Sequence, residues 1–407
     1  MKLYDELKWR GLIKDISSPE LEDKLNNGGM TFYIGTDPTG DSLHIGHLSS
    51  FLISKRLKDA GHNPILLIGG ATGRIGDPRP TSEREMKSIE EINHNIDGLT
   101  KQVKELFGFE IVNNYDWSKD INFIDFLRDY GKYFNINYML DKDIIRRRLE
   151  TGITYTEFSY MIMQALDFLY LCENKDVTMQ VAGSDQWGNI TAGIDLIRKK
   201  LGKEVYGFTM PLVTTKSGQK FGKSEGNALW LDKTKTSSYK MYQYLVNTED
   251  EMVIDYLKIF TFLGKQEIEK LEEEVKNRPE DREAQKTLAK EIITFIHGEK
   301  EYLRALNLTE KLFSNEFSDM KKEDVEDIFN REEIIGLSKD SNIVDMLVEI
   351  KAASSKREAR EFINNNAISI NGNKVNEVDV VIDDSYFIDS KYIIVKRGKK
   401  NYYIGMI

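Results

Sequence analysis

The chain has 407 residues, 40% of them hydrophobic and 30% charged, with a formal net charge of −10. That length carries two or three domains around a sizeable core, and the composition is that of a globular protein. The acidic balance excludes non-specific nucleic-acid binding by the whole surface, no apolar run reaches membrane-spanning length, and the single Cys172 excludes an internal disulfide framework. Residues 1–10 are polar with charges of both signs, unlike a secretion signal, so a reducing cytoplasm and no membrane are expected.

Residues 1–28 read as helical, with Leu3, Leu7, Leu12, Ile16, Leu21 and Leu25 as the apolar positions. Thr31-Phe32-Tyr33-Ile34 is a β-branched and aromatic run, the pattern of a buried strand. Asp37-Pro38-Thr39-Gly40 breaks it with turn residues, and Asp41 and Ser42 offer N-cap oxygens to a helix that continues through Leu48, Phe51, Leu52 and Lys55. His44 and His47 fall in the first turns of that helix, three apart and on one face. Unpaired backbone N–H groups and the helix dipole favour an anion there, and Gly46 lets a flat ring approach the backbone. The combination points to a nucleotide phosphate site. A His-x-x-His pair alone is more often surface or core, and a metal site would need a third ligand that the sequence does not offer.

Residues 64–70 form a second apolar run followed by glycines, so strand, helix and strand make a right-handed βαβ unit and a doubly wound sheet. Ligands of such sheets bind at the carboxyl ends of the strands, where Tyr33, Gly35, Asp37 and the 69–78 loop lie. Residues 88–107 and 123–149 read as amphipathic helices. In a further helix over 155–171, Tyr160, Gln164 and Asp167 share one face, a phenol, an amide and a carboxylate beside Met161, Met163 and Leu166. Residues 177–183 form a third strand, followed by Ser184-Asp185-Gln186-Trp187-Gly188-Asn189 and a helix over 190–201; Cys172 is expected to be core. Residues 211–214 read as a strand leading into 216–226, where glycines alternate with lysines. That run is either a solvated hairpin or a mobile loop carrying lysines to a polyphosphate.

Residues 237–313 are nearly all helix and 314–342 mostly linker. Two short helices follow over 343–350 and 354–366, then a hairpin turning at Asn371-Gly372 and strands over 392–395 and 402–404. Lys351, Lys356, Arg357 and Arg360, with Lys391, Lys396, Arg397, Lys399 and Lys400, cluster as an RNA phosphate surface.

On these residues the chain resembles bacterial tyrosyl-tRNA synthetases along essentially its whole length. His44-Ile45-Gly46-His47 matches the first signature of class I synthetases and Lys220-Phe221-Gly222-Lys223-Ser224 the second, in the expected order, with residues 183–189 between them. Ser354-Ser355-Lys356-Arg357-Glu358-Ala359-Arg360 and Ile370-Asn371-Gly372 resemble an S4-type RNA-binding domain. The resemblance implies an α/β fold, with a Rossmann-like doubly wound parallel-sheet catalytic domain over 1–226. An all-helical anticodon-arm-binding domain over 227–320, a linker over 321–341 and a small α+β S4-like domain over 342–407 would follow. It also implies a homodimer and a tyrosine–tRNA ligase reaction. Tyrosine attacks the α-phosphate of ATP, pyrophosphate leaves, and the tyrosyl group passes to the terminal adenosine of tRNA(Tyr).

By the same resemblance, His44, His47, Lys220 and Lys223 are catalytic, with Mg²⁺ carried on the ATP phosphates and no tightly held metal or organic cofactor. Gly35, Asp37, Gly46, Asp185, Phe221, Gly222 and Ser224 join them around ATP. Tyr33 and Asp167 would bond the substrate phenol, Asp77, Tyr160 and Gln164 its ammonium, and Gln180 and Gln186 would line the same pocket. One departure concerns Gly76-Asp77-Pro78-Arg79-Pro80-Thr81, where many members carry a lysine at the position of Thr81; Arg79 or Arg84 is expected to supply that cation. The rivals are a tryptophanyl-tRNA synthetase, disfavoured by Tyr33, Asp167 and Asp185-Gln186-Trp187, and an RNA-binding protein that kept the fold. Arg146, Arg147, Arg148, Arg198, Lys199 and Lys200 are candidates for the acceptor arm.

Overall fold

Apolar runs with glycine exits line up as the parallel core of a six-stranded sheet: β1 (Asp15–Ile16), β2 (Thr31–Thr36), β3 (Asn63–Ile68), β4 (Glu110–Asn113), β5 (Val177–Gly183) and β6 (Tyr206–Met210), in the order β1-β6-β5-β2-β3-β4. The computed structural model describes residues 1–78, 86–224, 227–317, 319–338, 341–398 and 401–407; the positions expected to matter at Arg79, Thr81, Arg84, Lys399 and Lys400, and the side chains of Lys223 and Ser224, lie outside what is described. All pairings in this sheet are parallel except that of β1, which lies antiparallel on β6 at the edge. From β2 the chain winds outward through β3 and β4, then returns to the other side of β2 with β5 and β6. The topological switch therefore falls between β2 and β5, and the crevice for a ligand opens at their carboxyl ends.

Five helices position that crevice: α1 (Ile45–Asp59), α2 (Ile89–Leu106), α3 (Asp143–Thr151), α4 (Tyr155–Asn174) and α5 (Trp187–Leu201). Leu48, Phe51, Leu52 and Leu57 of α1 are buried, as are Leu166, Phe168 and Leu171 of α4. Cys172 lies in the same core, as expected. Two compact units result, Met1–Asp232 with Glu249–Ala284, and Lys233–Thr248 with Gln285–Ile407. Helix α6 (Asp250–Phe260) thus belongs with the six-stranded sheet. Its C-terminal carbonyls are held by two buried arginines: Arg10 donates to the carbonyls of Lys258, Thr261 and Leu263, and Arg56 of α1 donates to that of Thr261.

In the other unit, β7 (Ile334–Gly336), β8 (Ile368–Ile370), β9 (Asn373–Lys374), β10 (Tyr392–Arg397) and β11 (Asn401–Met406) form a sheet in the order β9-β8-β10-β11-β7. The hairpin β8–β9 turns at Asn371 and Gly372, both with positive φ, as Asn-Gly requires.

Several expected elements differ. The region 1–28 is two seven-residue helices, Leu3–Trp9 and Leu21–Asn27, separated by β1, because Gly11 takes φ +71° and stops the first. The run 123–149 is broken into Phe123–Asp129, Ile136–Leu140 and α3, with Asn122 and Asn135 capping the first two. The strand expected over 211–214 lies one step earlier, as β6 over 206–210: Pro211 has no N–H to continue the ladder, and Thr214 keeps one bridge, to Lys220. Residues 321–341, expected as a linker, carry the helix Lys322–Ile328 and β7, which pairs in parallel with β11.

The buried pair between α3 and α4 gives a test of packing. Both Arg148–Glu157 hydrogen bonds, 2.8 and 2.6 Å, lie in the interior, and Glu157 is 1% exposed. Arg148→Met leaves a buried carboxylate unpaired and should lower the unfolding free energy of that unit by about 3–5 kcal/mol in urea titrations. A loss within experimental error would show that the pair is not structural.

Candidate active site

The first signature sits where the sequence puts it, at the start of α1. His44 is the N-cap, and its Nδ1 accepts from the Gly46 N–H at 3.1 Å, while Nδ1 of His47 accepts from the His44 N–H at 3.3 Å. Two imidazoles thus take the place of the usual Ser/Glu capping box. Their rings stack at 3.8 Å between centroids. With each Nδ1 accepting, a neutral ring carries its proton on Nε2, so each imidazole keeps an Nε2–H as its donor. Burial, then His44 and Lys220, lower the pKa of His47 to about 3, so it is neutral at pH 7. A Cβ on Gly46 would lie 2.9 Å from Cε1 of His44; the glycine makes room for this ring.

The second signature docks on the first. Phe221 is buried between Tyr256 and Phe260 of α6, with centroids at 4.2 and 5.2 Å, and the Tyr256 hydroxyl donates to the Thr214 carbonyl at 2.8 Å. Gly222 has φ +80° and lies against Ile45, where any side chain would collide. Past it, the Leu229 N–H donates to the Gly222 carbonyl and the Ile45 N–H to the Leu229 carbonyl, 2.8 and 2.9 Å. Lys220 is exposed, and its charge acts on His47. Lys223 and Ser224 form a two-residue strand with Asn227 and Ala228.

Beneath the crevice, Tyr33 of β2 is registered with Gln180 of β5. The Tyr33 hydroxyl and Gln180 Oε1 are buried with no hydrogen-bond partner among the described residues. Burial and the nearby Asp167 raise the pKa of Tyr33 well above its ordinary value. Asp167, 2% exposed, accepts from Asn114 Nδ2 and Trp117 Nε1, each at 2.9 Å. Burial nevertheless raises its pKa to about 7, against those two hydrogen bonds. A second network joins Asp77, Gln164 and Gln186 through Asn189: Gln186 Nε2 donates to Asp77 at 2.8 Å, and Asn189 Nδ2 reaches Gln186 Oε1 at 2.9 Å and Gln164 Oε1 at 3.1 Å.

Asp37 is tied to the helix α4 side of the site and to the chain just past the end of β3. It accepts from Tyr160 at 3.0 Å and from Thr72 at 2.8 Å. Gly35 is the penultimate residue of β2, and Asp185 is exposed just after β5. Sequence reasoning assigned no role to Thr72, Asn114, Trp117 or Asn189. Thr72 and Asn114 lie just beyond the ends of β3 and β4, and strand-end position was the signal that could have found them.

A family model of class I tRNA synthetases (W and Y) matches residues 25–314, and one of a tyrosine–tRNA ligase SYY-like C-terminal domain matches residues 324–405. The chain is 50% identical over 415 residues to tyrosine–tRNA ligase 2 of Bacillus cereus, with 99% of each chain covered. It is 47% identical to tyrosine–tRNA ligase 1 of Enterococcus faecalis, with 100% of each covered. Among solved structures it resembles a C-terminally truncated mitochondrial tyrosyl-tRNA synthetase of Aspergillus nidulans, with 33% identity, TM-score 0.68, and 77% of this chain and 94% of that one covered.

The low pKa of His47 predicts a pH dependence of stability. Between the unfolded value near 6.5 and about 3, the unfolded chain binds a proton at this ring that the folded chain does not, so stability falls as pH falls. Asp167, raised to about 7, acts in the opposite sense over its own range. Comparing His47→Gln with the parent isolates the first effect. From pH 7.5 to 5.5 the parent should lose about 1 kcal/mol more unfolding free energy than the variant. Equal losses would mean that His47 titrates normally.

Proposed function

The chain belongs to the class I tyrosine–tRNA ligase family, ATP-using enzymes that join L-tyrosine to tRNA, and we propose that its two histidines and two signature lysines carry the adenylate-forming step. The observation that carries the reading is the buried hydroxyl of Tyr33, which has no hydrogen-bond partner among the described residues and lies near Asp167. Buried polar atoms are almost always hydrogen-bonded, so an orphan in a crevice marks a group the ligand completes. A substrate phenol fits: it accepts from Tyr33 and donates to Asp167. An indole would leave at least one of these groups unpaired, and a phenylalanine ring both, which disfavours those amino acids by the desolvation of each orphan.

Asp77, Gln164 and Tyr160 hold the substrate ammonium, with Gln186 and Gln180 lining the pocket and Asp37 joining the ammonium side to the ATP side. The tyrosine carboxylate then attacks the α-phosphorus of ATP in line with departing pyrophosphate. ATP enters as its Mg²⁺ complex, the metal carried by the substrate's phosphates. His44 and His47 donate Nε2–H bonds to the phosphate oxygens as charge develops, while Lys220 and Lys223 neutralise pyrophosphate. Gly35, Gly46, Asp185, Phe221, Gly222 and Ser224 shape the nucleotide side. No covalent enzyme intermediate is needed, because positioning and charge stabilisation account for the step. The tyrosyl group passes next to the terminal adenosine of tRNA(Tyr), whose phosphates meet the basic surfaces of the chain. Exposed Phe123, Ile124 and Leu127 support a homodimer joined through that face, and the one buried cysteine supports a reducing cytoplasm.

Tyrosine-dependent ATP–pyrophosphate exchange tests the assignment, with tryptophan and phenylalanine as controls. Exchange with tyrosine alone is expected; exchange with tryptophan would overturn the pocket. Asp167→Asn should raise the tyrosine KM by about 10–100-fold, the scale of a hydrogen bond to a charged group. Tyr33→Phe should weaken tyrosine by about 2–10-fold while raising the Tm of the unliganded protein, because it deletes an unpaired buried hydroxyl. A Tm that falls would refute the orphan.

A further inference from the structure

Helix α2 buries Ile92, Leu99 and Val103 on its inner face, yet the same face carries two amides and a glycine. Asn95, Gly98 and Gln102 are spaced three and four apart, so they form one strip along the helix. Burying an amide is costly unless it is hydrogen-bonded, so each amide on such a face must have a dedicated partner. The partners all lie in one stretch of chain. Asn95, 4% exposed, donates from Nδ2 to the Pro38 carbonyl at 2.9 Å. At Gly98 the helix touches the carbonyl of Asp41 so closely that a Cβ would overlap it. Gln102 Oε1 accepts from the Leu43 N–H at 2.7 Å, and its Nε2 donates to the Ser42 hydroxyl at 3.2 Å.

Those contacts span the loop that joins Asp37, at the end of β2, to His44, the cap of α1. The loop has little structure of its own, and Gln102 grips it one residue before the N-cap histidine. We propose that the Asn95–Gly98–Gln102 strip of α2 is a positioning device for the phosphate-binding histidines, fixing their distance from the amino-acid pocket. The inference rests on the assignment of His44 and His47 to the ATP phosphates. Asn95 and Gln102 touch neither substrate; they act through the backbone of residues 38–43. An error of about 1 Å in the placement of reacting groups costs on the order of 100-fold in rate, so the strip is a determinant of ATP use although it lies outside the crevice.

The test separates ATP from tyrosine. In pyrophosphate exchange normalised to active sites, Gln102→Leu should lower kcat/KM for ATP by about 10–100-fold. Tyrosine affinity, measured by equilibrium dialysis without ATP, should stay within about twofold, since the Tyr33 and Asp167 groups are untouched. Gln102→Glu keeps the acceptor for the Leu43 N–H and should restore most of the loss. Equal losses for ATP and tyrosine would make the strip merely structural, and an unchanged kcat/KM for ATP would overturn the proposal. Failure of Gln102→Glu to rescue would also overturn it. If Gln102→Leu does not fold, Gly98→Ala, which pushes on the Asp41 carbonyl alone, is measured the same way and decides by the same criteria. Absence of exchange in the parent protein, by contrast, would bring down the catalytic reading itself.

Discussion

Two buried polar ends without a hydrogen-bond partner among the described residues, the hydroxyl of Tyr33 and the amide oxygen of Gln180, set the terms for the rest of the catalytic unit. Each costs about 1–3 kcal/mol of desolvation that no protein partner returns. The surrounding sheet must over-determine their position, and it does so by register: β2 lies between β3 and β5, so Tyr33 is fixed from both sides. Its ring packs against Phe168 at 5.4 Å, and the Asp167 carboxyl next in the helix is pinned by Asn114 and Trp117. Apolar packing below and hydrogen bonds to Asp167 above hold the orphans open. A preformed pocket of this kind selects by the hydrogen bonds it lacks.

The histidine pair follows a different logic. It is held by the chain closing on itself at the start of α1. His44 and His47 cap the helix with their own rings, which fixes the tautomer of each neutral imidazole with its proton on Nε2. The lysine-bearing segment is then laid across Ile45 through Gly222. The imidazole pair and Lys220 are thereby kept in separate elements, and the positive charge of Lys220 helps hold His47 neutral.

Much of this was legible in the sequence where the residues that act are close in the chain. Both signatures, the strand–loop–helix before α1 and the shared face of Tyr160, Gln164 and Asp167 depend on local spacing, and spacing survives folding. What was illegible depends on partners far apart. Asp37 bonds Tyr160 across 123 positions, and Asn114 bonds Asp167 across 53. Each is an ordinary polar residue until the sheet brings the strand ends together. The same limit hid the return of α6 to the catalytic unit, because an amphipathic helix carries no mark of the surface it covers. Breaks near Gly131 and Asn135 were hidden by an apolar pattern that continued across them.

The arginine clamp on α6 closes a mechanical circuit. Helix α1 carries Ile45 at one end and Arg56 near the other. Arg56 fixes the end of α6, α6 seats Phe221 through Tyr256 and Phe260, and Phe221 delivers Gly222 back to Ile45. A ring of this kind has no slack, so it converts a long surface segment into a short arm hinged at a buried aromatic. Two residues of extended chain span at most about 7 Å, which bounds the travel of the Lys223 backbone from its pivot at Phe221.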